Sequence, residues 1–476
     1  MASTSDSQFV DRERELAALE RFWSLPSAQC IPVVGRRRVG KTFLIERFAV
    51  GRRHVYYRCQ LRGTDEQLPR LGEALAMLSD DAIVRAQPPS SWSSIFALIE
   101  RLTSSERLLL VLDELPYWAA RDESLPSVLQ NWWDERGRYL NLMLVLCGSA
   151  VQMMERLFTG EAPLAGCVTG RIVVRPFRLH AAGELLPFAD PADIVTAYGI
   201  LGGVPLYLSF FRPECSIRDN LLDAIISPPA RLYVEPQAVL AAHHETYNAQ
   251  QVLAILRSLA RGRHRWSEIA QSSDMTQAQL GRIMEPLIGD LGLVERVRPV
   301  TERHETKTYW TQYQLTDNFF RFWFRFVEPA QGAIEFGDAD AVAESILAAL
   351  PEYMGLPFEG MCREWVGLAS AAGQLPERVS RIGSWWNANH RLDVVGLDAE
   401  RRVAVAGECK WRNQGFTWGD LQTYLGHLTA LGGIHEVRAD LLHLLFSKAG
   451  FDERVQEWAA GARARLLTPA DLLAPI

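Results

Sequence analysis

Ile31-Pro32-Val33-Val34-Gly35-Arg36-Arg37-Arg38-Val39-Gly40-Lys41-Thr42-Phe43 decides the architecture of this chain. An apolar run of strand length leads into G-x-x-x-x-G-K-T, and a helical pattern starts near Phe43, so the segment reads as strand, loop and helix. Such a loop turns backbone N–H groups toward an anion, and the helix that follows adds the positive end of its dipole. Gly35, Arg36, Arg37, Arg38, Val39, Gly40, Lys41, Thr42 and Phe43 are therefore expected to line a triphosphate. Lys41 offers a cation to the β and γ phosphates, and the Thr42 hydroxyl offers an oxygen to magnesium. Only the backbone of the loop must face the anion, which leaves the side chains of Arg36 to Arg38 to water, to DNA or to a neighbouring subunit.

Working outward, short apolar runs recur at Ile31–Val34, His54–Arg58, Leu108–Leu112, Leu142–Leu146 and Arg171–Phe177, separated by helical stretches up to about residue 185. That alternation predicts an α/β fold with a parallel sheet flanked by helices. Leu108–Leu112 ends in Asp113 and Glu114. Acids at the C-terminal end of a buried strand face the ligand crevice of an α/β sheet. Asp113 is placed to hold the magnesium ion, and Glu114 to orient or deprotonate the attacking water. Leu142–Leu146 ends in Cys147-Gly148-Ser149. Read from the residues alone, Ser149 simply starts a turn. Arg171, after Gly170, is either an arginine finger or a solvated strand-entry residue.

Phe9-Val10-Asp11-Arg12-Glu13-Arg14-Glu15-Leu16, the phosphate loop, Leu112-Asp113-Glu114 and Gly202-Gly203-Val204-Pro205-Leu206-Tyr207-Leu208 together resemble the archaeal-type ATPases of the STAND branch, relatives of AAA proteins. The resemblance spans the chain and implies ATP and magnesium as cofactors. It also implies that Arg12, Gly203 and Pro205 flank the adenine, and that Ser149 occupies the sensor position. Asp11 stands where such proteins usually carry glycine. Read from the residues alone, Gly203-Val204-Pro205 is also what a tight turn between helices looks like.

Residues 186–245 read as a helical lid. Residues 246–327 give helices at Ala249–Leu259, Trp266–Gln271 and Thr276–Glu285, the last expected to stop at Pro286, and then β-like runs at Leu293–Val300 and Lys307–Leu315. Three helices and a hairpin in that order resemble a winged helix. Its expected recognition helix carries Gln277, Gln279, Arg282 and Glu285, and its wing carries Arg296, Arg298, Arg303, His304 and Lys307 offset by Glu295, Glu302 and Glu305. That mixture leaves both DNA contact and a packing role open. Phe319, Phe320, Phe322, Trp323, Phe324 and Phe326 read as core, and Glu328–Asp340 as a linker into a last domain, 328–476.

In that last domain Arg391-Leu392-Asp393-Val394-Val395 and Val403 to Trp411 form an expected hairpin through the turn Asp398–Arg402. Alternation puts Glu408 and Lys410 on one face and Cys409 on the other. A register that brings Asp393 opposite would gather two carboxylates and an ammonium around a magnesium-sized site. This D…E-x-K pattern resembles the PD-(D/E)XK nucleases, a restriction-endonuclease-like α/β fold. The resemblance implies catalytic roles for Asp393, Glu408 and Lys410, metal ligation by Asp393 and Glu408, and a further helical acid at Glu359, with DNA as substrate. A salt-bridged hairpin, or a site that binds without cutting, shows the same letters.

The bulk numbers bound these readings. A chain of 476 residues exceeds one core, and the four segments are 1–185, 186–245, 246–327 and 328–476. A net charge of -7 argues against a surface made generally for polyanions, so any DNA contact is local. Seven scattered cysteines without a C-x-x-C pair fit reduced thiols in a cytoplasmic protein. The apolar runs are too short for a membrane span.

Overall fold

The computed structural model describes residues 10–241, 248–289, 291–302 and 310–476. The chain divides into two units, residues 1–176 with 289–291, and residues 177–288 with 292–476. Phe9 of the N-terminal box and Arg303, His304, Glu305 and Lys307 of the expected wing lie outside the described residues.

The first unit is built on five parallel strands, β1 (Gln29–Val34), β2 (His54–Arg58), β3 (Leu108–Asp113), β4 (Leu142–Gly148) and β5 (Ile172–Val173), in the order β2-β3-β4-β1-β5. Every residue of β1, β3 and β4 is buried because helices cover both faces. Alternation deals their side chains to two separate cores. Leu108, Leu110, Leu112, Leu142, Leu144 and Leu146 join one, and Leu109, Val111, Met143, Val145, Ile31 and Val33 join the other. Helix α1 (Glu13–Ser24) and helix α2 (Lys41–Ala49) seal the second core through Leu19, Leu44, Ile45 and Phe48.

Pro32 sits inside β1, where a missing N–H normally breaks a ladder. Cys30 exchanges hydrogen bonds with Thr169, and the Val34 carbonyl accepts from Val174 N–H. Positions 30, 32 and 34 thus face the β5 side, and two-residue β5 aligns only with Val33 and Val34. Pro32 therefore removes no ladder bond. The expected strand Arg171–Phe177 shrinks to these two residues, since Pro176 ends any continuation.

The second unit begins with helices, among them Pro191–Leu201 and Glu235–Ala241. Helices Ala249–Ala260, Trp266–Ser272 and Gln277–Ile288 follow, with an antiparallel pair β6 (Val294–Val297) and β7 (Gln312–Leu315). Pro286 does not stop the third helix. It lies in the last turn, where it removes one ladder bond while Leu280, Met284 and Leu287 are fully buried. The expected linker 328–340 is also replaced by helices Glu328–Glu335 and Ala339–Tyr353. Pro329 sits at the permissive start of the first, and buried Ile334 anchors it. Phe319, Phe320, Phe322, Trp323 and Phe324 are fully buried and Phe326 half-buried, as expected of core.

A mixed sheet closes the chain: β8 (Arg381–Trp386), β9 (Arg391–Leu397), β10 (Val403–Lys410), β11 (Val437–Ser447) and β12 (Ala464–Leu467), in the order β12-β11-β10-β9-β8. β8, β9 and β10 run antiparallel, while β10, β11 and β12 run parallel. The helices Gly355–Ala371 and Trp418–Gly432 pack on it. Among the described residues no helix is long and apolar enough to cross a membrane.

Candidate nucleotide site and a second carboxylate site

The phosphate loop leaves the C-terminal end of β1 and enters α2 through two left-handed residues, Arg38 (φ +68°) and Gly40 (φ +93°). Gly35 is fixed by proximity, because a Cβ there would lie 2.2 Å from the Val174 carbonyl oxygen. Gly35→Ala is therefore expected to lower stability by about 1–3 kcal/mol, the usual range for overpacking, in chemical denaturation. Nucleotide affinity should fall with it.

Lys41 is 6% exposed and its Nζ donates to the carbonyls of Gly35 (2.7 Å) and Arg36 (2.9 Å). Burial pulls its pKa down, against the opposing pull of Cys147, Glu114 and Asp113. Arg12, buried at the start of α1, donates to the carbonyls of Val39 (3.0 Å) and Arg175 (2.7 Å). It thereby ties the N-terminal box to the phosphate loop. Asp11 beside it has φ +50°, a region that favours glycine.

Asp113, 3% exposed, ends β3 beside this loop. Its Oδ2 accepts from the Tyr56 hydroxyl (2.7 Å) and its Oδ1 from Glu114 N–H (3.1 Å). Glu114 itself has φ +56°, a strained setting for a side chain with a Cβ. Its Oε2 accepts from both the backbone N–H (3.0 Å) and the hydroxyl (2.9 Å) of Ser149 at the end of β4. The structure thus brings Lys41, Asp113, Glu114 and Ser149 to one end of the sheet. Arg171 is not directed there by any described bond. Its Nη1 donates to Glu155 Oε2 (2.9 Å) in a half-exposed pair.

Gly203 and Pro205 belong to the second unit. The Gly203 carbonyl accepts from Phe177 N–H at 2.6 Å, and a Cβ on Gly203 would meet the Phe177 carbonyl oxygen at 1.8 Å. Pro205 begins the helix Pro205–Leu208. In the three-helix segment, Gln277, Gln279, Arg282 and Glu285 are exposed on one helix, with Glu285 paired to Arg296.

In the closing sheet, β9 and β10 pair with Val394 opposite Gly407, so the same register sets Asp393 opposite Glu408. The condition for a paired site is met. Both acids are 7% exposed. Asp393 Oδ2 accepts from Cys409 N–H (3.1 Å), and Lys410 Nζ donates to Glu408 Oε1 (2.6 Å). Glu408 Oε2 is buried without a hydrogen-bond partner, an arrangement that costs free energy unless a cation or proton completes it. The donor set therefore fits a hard divalent ion held by two carboxylates. Glu359 does not join them. It pairs with Arg391 (2.5 Å) and Arg363 (3.3 Å), and Arg391 reaches on to Asp393 Oδ1 (3.3 Å). Among the described residues no three His, Cys, Asp or Glu side chains could share a metal ion, which corrects the expectation of a three-acid site. Arg391 was in view in the sequence, two residues from Asp393 and so on its face, but its charge gave no sign that it would neutralise the acids.

Burial, then the Asp393 carboxylate, pushes the Glu408 carboxyl from 4.5 up to about 8, against Lys410. Burial and Asp393 push Glu359 up as well. Between those values the folded chain holds protons the unfolded chain has lost. Stability from Glu408 is thus full below about 4.5 and disappears as pH rises through about 8. The unfolding free energy, measured by denaturant titration across that window, should fall with pH more steeply in wild type than in Glu408→Gln.

Residues 9–211 match a family described as an ATPase domain predominantly from Archaea, and residues 323–420 match a family of archaeal and bacterial proteins of unknown function. An uncharacterized protein of Methanocaldococcus jannaschii is 27% identical over 407 residues, 85% of this chain and 88% of that protein. An uncharacterized ATP-binding protein of the same organism is 55% identical over 40 residues, 8% of this chain and 68% of that protein. Among solved structures, a Walker-type ATPase of Pyrococcus abyssi shares the fold with a TM-score of 0.51 at 19% identity, covering 68% of this chain and 98% of that one.

Proposed function

We propose, from the match of residues 9–211 to an ATPase domain family found predominantly in archaea, that this chain is a STAND-like switch in which ATP turnover governs a nuclease-like domain acting on DNA. The four functional segments are then the ATPase core 1–185, the helical lid 186–245, the winged helix 246–327 and the nuclease-like domain 328–476. The observation that carries the ATPase reading is the meeting of Lys41, Asp113, Glu114 and Ser149 beside a phosphate loop with two left-handed residues.

In this reading the loop amides and Lys41 bind the triphosphate, and Lys41 leaves its two carbonyl partners for phosphate oxygens. Thr42 and Asp113 present hard oxygens suited to magnesium, which when bound neutralises charge on the phosphates. Glu114, one oxygen held by Ser149, turns the other toward the attacking water and takes its proton. Asp393 and Glu408 would hold a second magnesium ion at the nuclease-like site, with the Lys410 ammonium beside them to orient water or stabilise developing charge.

One experiment separates the levels of this proposal. Purified full-length protein is incubated with magnesium and several DNA forms, with and without ATP, while phosphate release and strand scission are followed. Absence of magnesium-dependent phosphate release ends the ATPase reading. ATP turnover without any scission favours a second reading, an ATP-gated scaffold or regulator whose last domain recognises DNA or protein without cutting. The observation on that side is the capture of Glu359 by Arg391 and Arg363.

A further inference from the structure

Tyr56-Tyr57 lies in β2, and alternation sends the two rings to opposite faces of the sheet. Tyr57 enters the core that lacks the phosphate-loop helix, where any large apolar ring could serve. Tyr56 lies against the other core and is aligned in the parallel ladder with Val111, two residues before Asp113. Side chains at 111 and 113 share a face, so the phenol stands beside the Asp113 carboxylate.

The hydroxyl donates to Asp113 Oδ2 at 2.7 Å. A phenol has one proton to give, and giving it to Oδ2 takes up one lone pair there and leaves the other lone pairs of the carboxylate for a cation. Asp113, tied at Oδ2 by Tyr56 and at Oδ1 by Glu114 N–H, is fixed in one orientation.

We propose that Tyr56 is a positioning residue for the nucleotide's divalent ion, holding the Asp113 carboxylate in the orientation that ion requires. This rests on the assignment of Asp113 to magnesium. Tyr56 acts through Asp113.

The test measures how much Mn2+ strengthens binding of a non-hydrolysable ATP analogue to the full chain, as the ratio of dissociation constants in EDTA and in Mn2+. Tyr56→Phe keeps the ring and is expected to bind the analogue normally in EDTA. It should lose about tenfold of the Mn2+ gain, the loss expected for one hydrogen bond to a charged group. The magnesium concentration that half-saturates turnover should rise in the same variant. Val111→Ala loosens the same packing without touching the hydroxyl, so it should lower the melting temperature and leave the Mn2+ gain intact. If Asp113→Asn loses the gain while Tyr56→Phe matches wild type, the proposal for Tyr56 is wrong and the magnesium assignment stands. If Asp113→Asn also matches wild type, that assignment fails and the proposal with it. An equal loss in Val111→Ala overturns positioning in favour of general loosening.

Discussion

Replacing Lys41 with alanine is expected to reduce ATP turnover by roughly a hundredfold or more, the scale on which one preorganised charge at the reacting phosphate acts. The side chain is buried and bound to the carbonyls of Gly35 and Arg36, so its removal takes away the cation and also leaves two loop oxygens without their donor. Both effects weaken the phosphate cradle. Lys41→Arg keeps the charge, yet a planar guanidinium does not match a pocket shaped by a compact ammonium, so rescue should be poor. Glu114→Gln separates binding from chemistry. The amide still accepts from Ser149 but is not a base, so analogue affinity should survive while single-turnover hydrolysis is lost. Turnover of Lys41→Ala at the wild-type rate would remove the phosphate loop from the mechanism altogether.

The second large effect is expected at Asp393. Asp393→Asn still accepts from Cys409 N–H, so the hairpin should stay folded. It removes one of two facing carboxylates, and divalent-ion affinity at this carboxylate site should fall on the order of a hundredfold, with any strand scission. Glu408 is left with Lys410 alone, which already occupies Oε1. Arg391 gives the contrasting case, because its guanidinium bridges Glu359 and Asp393 and competes with an added cation. Arg391→Ala is expected to tighten Mn2+ binding at this site. Calorimetric titration of both variants, in an Asp113→Asn background that silences the nucleotide site, reads the opposite signs directly. Shifts of the same sign would show that Arg391 does not compete with the metal.

Much of the nucleotide unit was legible in the residues because its signals are local. A strand-length run before a phosphate loop, and acids at the end of a run such as Leu108–Leu112, need no distant partner to be read. The same locality explains the errors. Pro286 is a helix breaker by intrinsic preference, and burial of Leu287 overrides it. Glu328–Asp340 looked like a linker until packing placed Ile334 in a core.

By itself, then, the sequence determined the parallel α/β core, the place of the phosphate loop and the hairpin that carries Asp393 and Glu408. Each of these is written in periodicity over a few residues, which side-chain alternation converts into a face. Only the tertiary structure decided which charges and hydroxyls meet. It gave Tyr56 to Asp113, Ser149 to Glu114, Arg12 to the loop carbonyl of Val39, and Arg391 to Glu359. The three pairs in the first unit are 27, 35 and 57 positions apart, and tertiary packing, not composition, brings them within reach.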